Sequence, residues 1–374
     1  MRSRSGNLLL LAASLLLAIL LAEPLLRLAI PSAARYDVWE PGFRIVFRPI
    51  PGVMPGISGD ARFFVNSEGV RGDEPDPAHR MVLLALGGST TECLYLDQEE
   101  AWPMRLQTLL SRHHGFPVRV GNAGKSGMTS FDHVLHVRHL LPRLDQVETV
   151  LVLAGVNDLA MRLEQDDAFD PDPPENPGHA FSLVAPEASR PWQRTGWFRL
   201  YRRLRAKKSE QVNRDLIHSI GGDSYDGWRQ RRATASSWRD TPPDLEPALR
   251  SYEGNIVKMG RMARDEGKRI IFLTQPALWR GDLSPEEERL LWFGWIGDRT
   301  MDPPGPYYTA GALRLGIDAY NERLLAICNR EQLECFDLAG RIPSRTTNFY
   351  DDVHFNENGS AMAARVILEH LTHH

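Results

Sequence analysis

A serine behind two glycines, a histidine just after an aspartate, and a glycine and an asparagine beyond apolar runs are the residues of this chain that could do chemistry together. Ser89 stands in Gly-Gly-Ser-Thr at 87–90, and Gly127 closes Gly-Asn-Ala-Gly-Lys-Ser-Gly at 121–127. Asn157 lies in Gly-Val-Asn-Asp at 155–158, and Asp351 and His354 frame Asp-Asp-Val-His. A hydroxyl, an imidazole and a carboxylate can together run nucleophilic acyl transfer. The histidine, with an unperturbed pKa of roughly 6.5, takes the serine proton while the aspartate fixes its tautomer. The oxyanion that forms needs donors, each contributing on the order of 3 kcal/mol. Ser89 N–H, Gly127 N–H and the Asn157 side-chain amide are the candidates.

Each of these residues also has a plainer use. Ser89 can cap a helix, Gly127 can permit a positive φ, and Asn157 can close an Asx-turn. The Asp-Asp-Val-His stretch can be a solvated loop capping a helix that starts near Asn356. Asp352 rivals Asp351 as the orienting carboxylate; Asp351 is preferred because one turn carries it back onto the imidazole while its neighbour points elsewhere.

Four blocks in this order make the chain similar to the SGNH hydrolase superfamily, also called GDSL esterases and lipases, in its membrane-anchored bacterial form. The resemblance covers roughly Met81 to His374. It implies Ser89 as nucleophile, Asp351 and His354 as the rest of the triad, and Ser89, Gly127 and Asn157 as the oxyanion hole. One departure is that the first block reads Gly-Gly-Ser-Thr where the family has Gly-Asp-Ser. An α/β-hydrolase elbow would need glycine two residues after the serine, where Thr91 stands.

Strand and helix signals supply the frame. Met81–Leu86, Val118–Val120, Thr149–Leu153, Arg269–Thr274 and Leu333–Phe336 read as buried parallel strands. Helices are predicted at Trp102–His113, Phe131–Leu140, around Leu249, Tyr252, Ile256 and Met259, at Leu315–Cys328 and at Asn356–Leu371. The pattern predicts a three-layer α/β/α fold of about five parallel strands, SGNH or flavodoxin-like, whose strand ends carry the site.

Around that core the chain divides into 1–34, an export signal or anchor; 35–80, a leader that the resemblance places beside the first strand; and 81–374, the hydrolase domain with an insertion at about 163–246. Arg2 and Arg4 precede the apolar run Leu8–Ala22, which is short for a bilayer unless the helix continues through Leu25–Ile30 past Glu23 and Arg27, a pair spaced to meet. An uncleaved inner-membrane anchor with the catalytic domain outside the cytoplasm is preferred to cleavage near Ser32-Ala33-Ala34. Cys328 and Cys335 are either bridged or buried free thiols. The formal net charge of -4, with no long basic run and no phosphate loop, gives no reason to invoke nucleic acid.

In the insertion, an acidic, proline-rich piece is followed by a basic one with Arg202, Arg203, Arg205, Lys207 and Lys208, and Trp192, Trp197, Trp228 and Trp238 are scattered through it. The tryptophans suggest a partly helical cap. Gln275, Trp279, Trp292 and Trp295, with Phe293, are candidates for a substrate groove. His133, His136 and His139 read as a solvated helix face, and neither a metal nor any other cofactor is expected. The expected activity is hydrolysis of carboxylic esters, such as short acyl groups on an envelope polysaccharide. The alternatives are an O-acyltransferase with the same triad and a non-catalytic assembly protein.

Overall fold

Five apolar runs pair into one parallel sheet in the computed structural model, which describes residues 4–30, 35–185, 191–201, 204 and 221–373. The strands are Met81–Gly87 (β1), Val118–Gly124 (β2), Thr149–Leu153 (β3), Arg269–Leu273 (β4) and Glu334–Phe336 (β5). Their order is β2-β1-β3-β4-β5. Every residue of β2 is buried, Arg119 and Asn122 included, as are all but the first of β1, which is why β1 reads as a continuous apolar run rather than an alternating one. Gly87 is the register partner of both Gly124 and Leu153, so three neighbouring strands end at one level. The strand order reverses at β1, and ligands of such sheets bind outside the carboxyl ends at that point.

Besides the one-turn helices Pro177–Ala180 and Pro285–Glu288, the α-helices among the described residues include Arg4–Ala29 (α1), Ser89–Glu92 (α2), Trp102–His114 (α3), Ser130–Leu140 (α4), Val156–Gln165 (α5), Asp223–Ala233 (α6), Glu246–Asp265 (α7), Ala310–Glu331 (α8) and Glu357–Thr372 (α9). α3 packs with α9, while α4, α5 and α8 pack with α7, which gives the α/β/α layering. Local signals explain their limits. Pro103 sits in the first turn of α3 and Gly115 closes it. The Asn356 side chain accepts the Gly359 N–H at 3.0 Å to start α9. Leu249, Tyr252, Ile256 and Met259 form the buried face of α7. Cys328 at the end of α8 is bonded to Cys335 on β5.

Two compact units are distinguished: Met1–Tyr36 with Leu183–Ser219, and Asp37–Ser182 with Ile220–His374. In the first, α1 runs through Glu23 and Pro24 without a break, and Leu10–Ala29 is 20 residues of mean hydropathy 2.0. At about 1.5 Å per residue, that length matches a hydrocarbon layer of about 30 Å. Glu23 meets Arg27 at 2.6 Å and also accepts the Gly196 N–H at 2.8 Å. Trp192 and Trp197 are exposed here, and Trp238 is exposed in the second unit, so burial of these rings is not what holds their segments. The basic stretch Arg202, Arg203, Arg205, Lys207 and Lys208 and the Ser32-Ala33-Ala34 site lie outside the described residues.

In the second unit, Arg44–Phe47 and Ala61–Phe64 pair antiparallel. The leader then reaches the sheet at β2 through a bridge from Arg71 to Asn122. β2 is the edge strand, and its outer hydrogen bonds are the ones left to take. The buried Arg71 guanidinium donates to the carbonyls of Glu92 at 2.7 Å, Cys93 at 2.9 Å and Leu96 at 2.8 Å, clamping the chain just after α2.

Candidate active site

Ser89 is the first residue of α2, two residues past Gly87, so its side chain emerges at the rim of the sheet. Its Oγ lies 2.7 Å from His354 Nε2. The other ring nitrogen of His354, Nδ1, lies 2.7 Å from Asp351 Oδ2 and 3.0 Å from Oδ1. Asp351 Oδ1 also accepts the backbone N–H groups of Val353 at 3.0 Å and His354 at 2.9 Å, and Oδ2 accepts Trp292 Nε1–H at 2.9 Å. One turn thus closes on its own carboxylate. The imidazole lies nearly parallel to the rings of Tyr350, at 5.5 Å and 9°, and Trp292, at 6.4 Å and 9°.

Burial by itself would lower the His354 pKa, but the Asp351 carboxylate outweighs it and holds the imidazole above its usual range. Burial pushes Asp351 up, and the His354 charge and the hydrogen bonds win, keeping its carboxylate below the usual range. Asp352 faces away from the histidine. It accepts Trp279 Nε1–H at 2.7 Å, Trp292 N–H at 2.8 Å and Phe293 N–H at 3.2 Å. Burial, and then the neighbouring Asp351 charge, raise it to about 6.

The places of Gly127 and Asn157 follow from the shared register. Gly127 lies beyond β2 and Asn157 beyond β3, so both converge on the turn that carries Ser89. Gly127 has φ +78°, a left-handed turn that favours glycine. Asn157 sits in the first turn of α5, and its Nδ2 donates to the Met128 carbonyl at 2.8 Å, which fixes the amide. Gly88 is required by close approach: a β-carbon there would lie 2.2 Å from Asn157 Nδ2. As the opening residue of α2, Ser89 has a backbone N–H with no acceptor inside that helix.

Ser89, Gly127, Asn157 and His354 open on one cleft of about 440 Å³. Trp228 from α6 and Trp292, Phe293 and Trp295 supply aromatic wall, and His179, Glu164 and Arg299 supply charge. Two of the four groove candidates are elsewhere. Gln275 is buried, hydrogen bonded by Thr90 Oγ at 3.3 Å, and belongs to a separate cavity beside α8. Trp279 is fully buried, spent on Asp352. Trp292 and Trp295 do line the cleft. The histidine reading is also corrected: His133 and His136 are fully buried, because that face of α4 turns inward beneath Phe181 and Ala180. His179, Tyr225 and Arg299 were missed; they lie on the one-turn helix Pro177–Ala180, on the polar α6 and on a loop, where no periodicity points at a site.

Residues 85–362 match the GDSL-like lipase/acylhydrolase family. The chain belongs to this family. As a GDSL-family protein it is a carboxylic ester hydrolase, and its central parallel sheet is the one expected of that class. No curated protein matches the chain. Among solved structures, it is similar to an acetylxylan esterase from Geobacillus stearothermophilus, at 14% identity and a TM-score of 0.42, covering 79% of this chain and 95% of that one. It is similar also to an alpha/beta hydrolase enzyme from the metagenome of Lake Arreo, Spain, at 14% identity and a TM-score of 0.41, covering 78% and 95%.

Proposed function

We propose that this GDSL-family hydrolase is a membrane-anchored serine esterase facing away from the cytoplasm, acting on short acyl esters of an envelope polysaccharide. The observation that carries the mechanism is the continuous hydrogen-bonded series from Ser89 Oγ through His354 to Asp351. His354 Nε2 takes the Ser89 proton as Oγ attacks the ester carbonyl. The tetrahedral oxyanion is held by the N–H groups of Ser89 and Gly127 and by the Asn157 amide. His354 then gives its proton to the leaving alcohol, and the acyl-enzyme is released by water through the same base. Asp351 remains ionised throughout and orients the ring.

The substrate class rests on the aromatic wall, since flat rings suit the apolar faces of sugars as well as acyl groups. The location rests on the apolar run of α1, with Arg2 and Arg4 ahead of that run in sequence, and on the Cys328–Cys335 bond, a feature of oxidising compartments. The test is intact mass of the full-length protein after exposure to a fluorophosphonate probe. One adduct, absent from Ser89→Ala and slow to form in His354→Ala, is the expected result; an adduct surviving Ser89→Ala would overturn the assignment. Incubation with an acetylated glycan, with and without a second glycan as acceptor, then separates hydrolysis from acyl transfer by its products.

A further inference from the structure

The cleft holds a second carboxylate–imidazole pair that the triad does not use. Asp132, buried on α4, accepts from the Thr129 N–H and the Thr129 hydroxyl with Oδ2, each at 2.9 Å. Its Oδ1 lies 2.9 Å from His179 Nδ1. With Nδ1 taken by a buried carboxylate, the ring is oriented, and Nε2 turns toward the donor loop, 4.0 Å from where a β-carbon on Gly127 would sit. Lys125, two residues before Gly127, donates Nζ–H to the His179 carbonyl at 3.0 Å, so the histidine and that loop are tied together. The His179 side chain is 48% exposed and lines the same cleft as Ser89. A second cation shares the wall: the Arg299 guanidinium lies over Trp228 at 4.8 Å and over Trp295 at 5.1 Å. Glu164 is the one acidic residue on the wall among the described residues.

We infer that His179, with Arg299, forms a subsite for a carboxylate carried by the substrate, so that the cleft selects esters of acidic molecules, such as uronic acid residues, over their neutral counterparts. This rests on the reading of Ser89 as nucleophile. The physical reason is that a protonated imidazole offers an Nε2–H donor and a charge beside the oxyanion loop, where a substituent flanking the scissile ester must lie. Several groups face His179. The hydrogen bond and charge of Asp132 raise its pKa above the usual range, against burial and the Lys125 charge, while the buried His133 and His136 beneath it stay neutral. The subsite therefore holds its charge at lower pH and loses it as pH rises through the His179 pKa.

The experiment uses the full chain in detergent with 4-acetoxybenzoate and its methyl ester, which share the acyl group and differ by one carboxylate. The expected ratio of kcat/KM, acid over methyl ester, is about tenfold, corresponding to about 1.4 kcal/mol. That ratio should fall as pH rises, collapse toward one in His179→Gln and decrease partly in Arg299→Gln. A ratio near one in the unsubstituted protein, or one that persists in His179→Gln, overturns the subsite. If Ser89 accepts the fluorophosphonate but neither ester turns over, the same contrast is read as protection of Ser89 by benzoate against benzamide. Equal protection overturns the subsite, and stronger protection by benzoate supports it. Failure of Ser89 to label at all overturns the esterase reading instead, so the two failures are distinct.

Discussion

The amide of Asn157 occupies the space that a side chain on Gly88 would need, with 2.2 Å between its Nδ2 and the position of that β-carbon. The second glycine of the Gly-Gly-Ser-Thr block therefore makes room for an amide carried by the first turn of α5. Gly88→Ala should displace the amide and lower kcat by about 10² to 10³, the usual cost of one oxyanion donor. Asn157→Ala should cost the same. Because both act on one group, the double variant should be no slower than Asn157→Ala, and multiplied losses in a double-mutant cycle would refute this coupling.

Asp351 and Asp352 are adjacent, buried and differently employed. Asp351→Asn should lower kcat by about 10⁴ by offering His354 the wrong partner for its tautomer. Asp352→Asn keeps one acceptor oxygen for Trp279 or for the Trp292 and Phe293 N–H groups. It should cost mainly stability, about 1–3 kcal/mol. Paired measurements of kcat and urea midpoint decide the matter, and equal kcat losses would count against the assignment of Asp351.

His354 must be neutral to accept the Ser89 proton, and Asp351 holds it protonated above its ordinary pKa of roughly 6.5. The acid limb of kcat/KM should therefore lie above that value, with activity rising as pH rises through it. In Asp351→Asn the residual activity should titrate at lower pH, because burial then acts without the opposing charge. A limb at or below pH 6.5 in the unsubstituted enzyme, read from its pH profile, would contradict the observed geometry.

Burial lowers His133 to about 3 and His136 to about 4. The unfolded chain takes up these protons near pH 6.5 while the folded chain does not. Each histidine therefore removes stability as pH falls from there toward its folded value, by up to about 1.4 kcal/mol per pH unit. Comparing urea midpoints of the unsubstituted protein and His136→Gln between pH 7 and pH 5 cancels the other titrating groups. The variant should lose less stability on acidification, and parallel curves would mean that His136 is protonated in the fold.

β1 and β3 were legible because they are buried along nearly their whole length and so read as unbroken apolar runs, each followed closely by glycine, whereas β5 is half-buried and begins on Glu334. Asp351 and His354 were legible because one turn joins them. What escaped depends on which way a loop faces. Gln275 and Trp279 follow a strand that ends on the correct side, yet both turn into the interior, and nothing in their spacing could have shown it. His133 and His136 look polar in a helix whose partners, Ala180 and Phe181, are supplied by a distant segment. The Trp292 bond to Asp351 joins two loops that the sheet alone does not bring together.

Ser89 and His354 are separated by 265 positions, and the hydrogen bond between them closes that whole interval. A growing polypeptide displays its serine long before the imidazole that meets it at 2.7 Å in the fold has been synthesised. On the mechanism proposed above, a copy that stops short of His354 has no base for that serine.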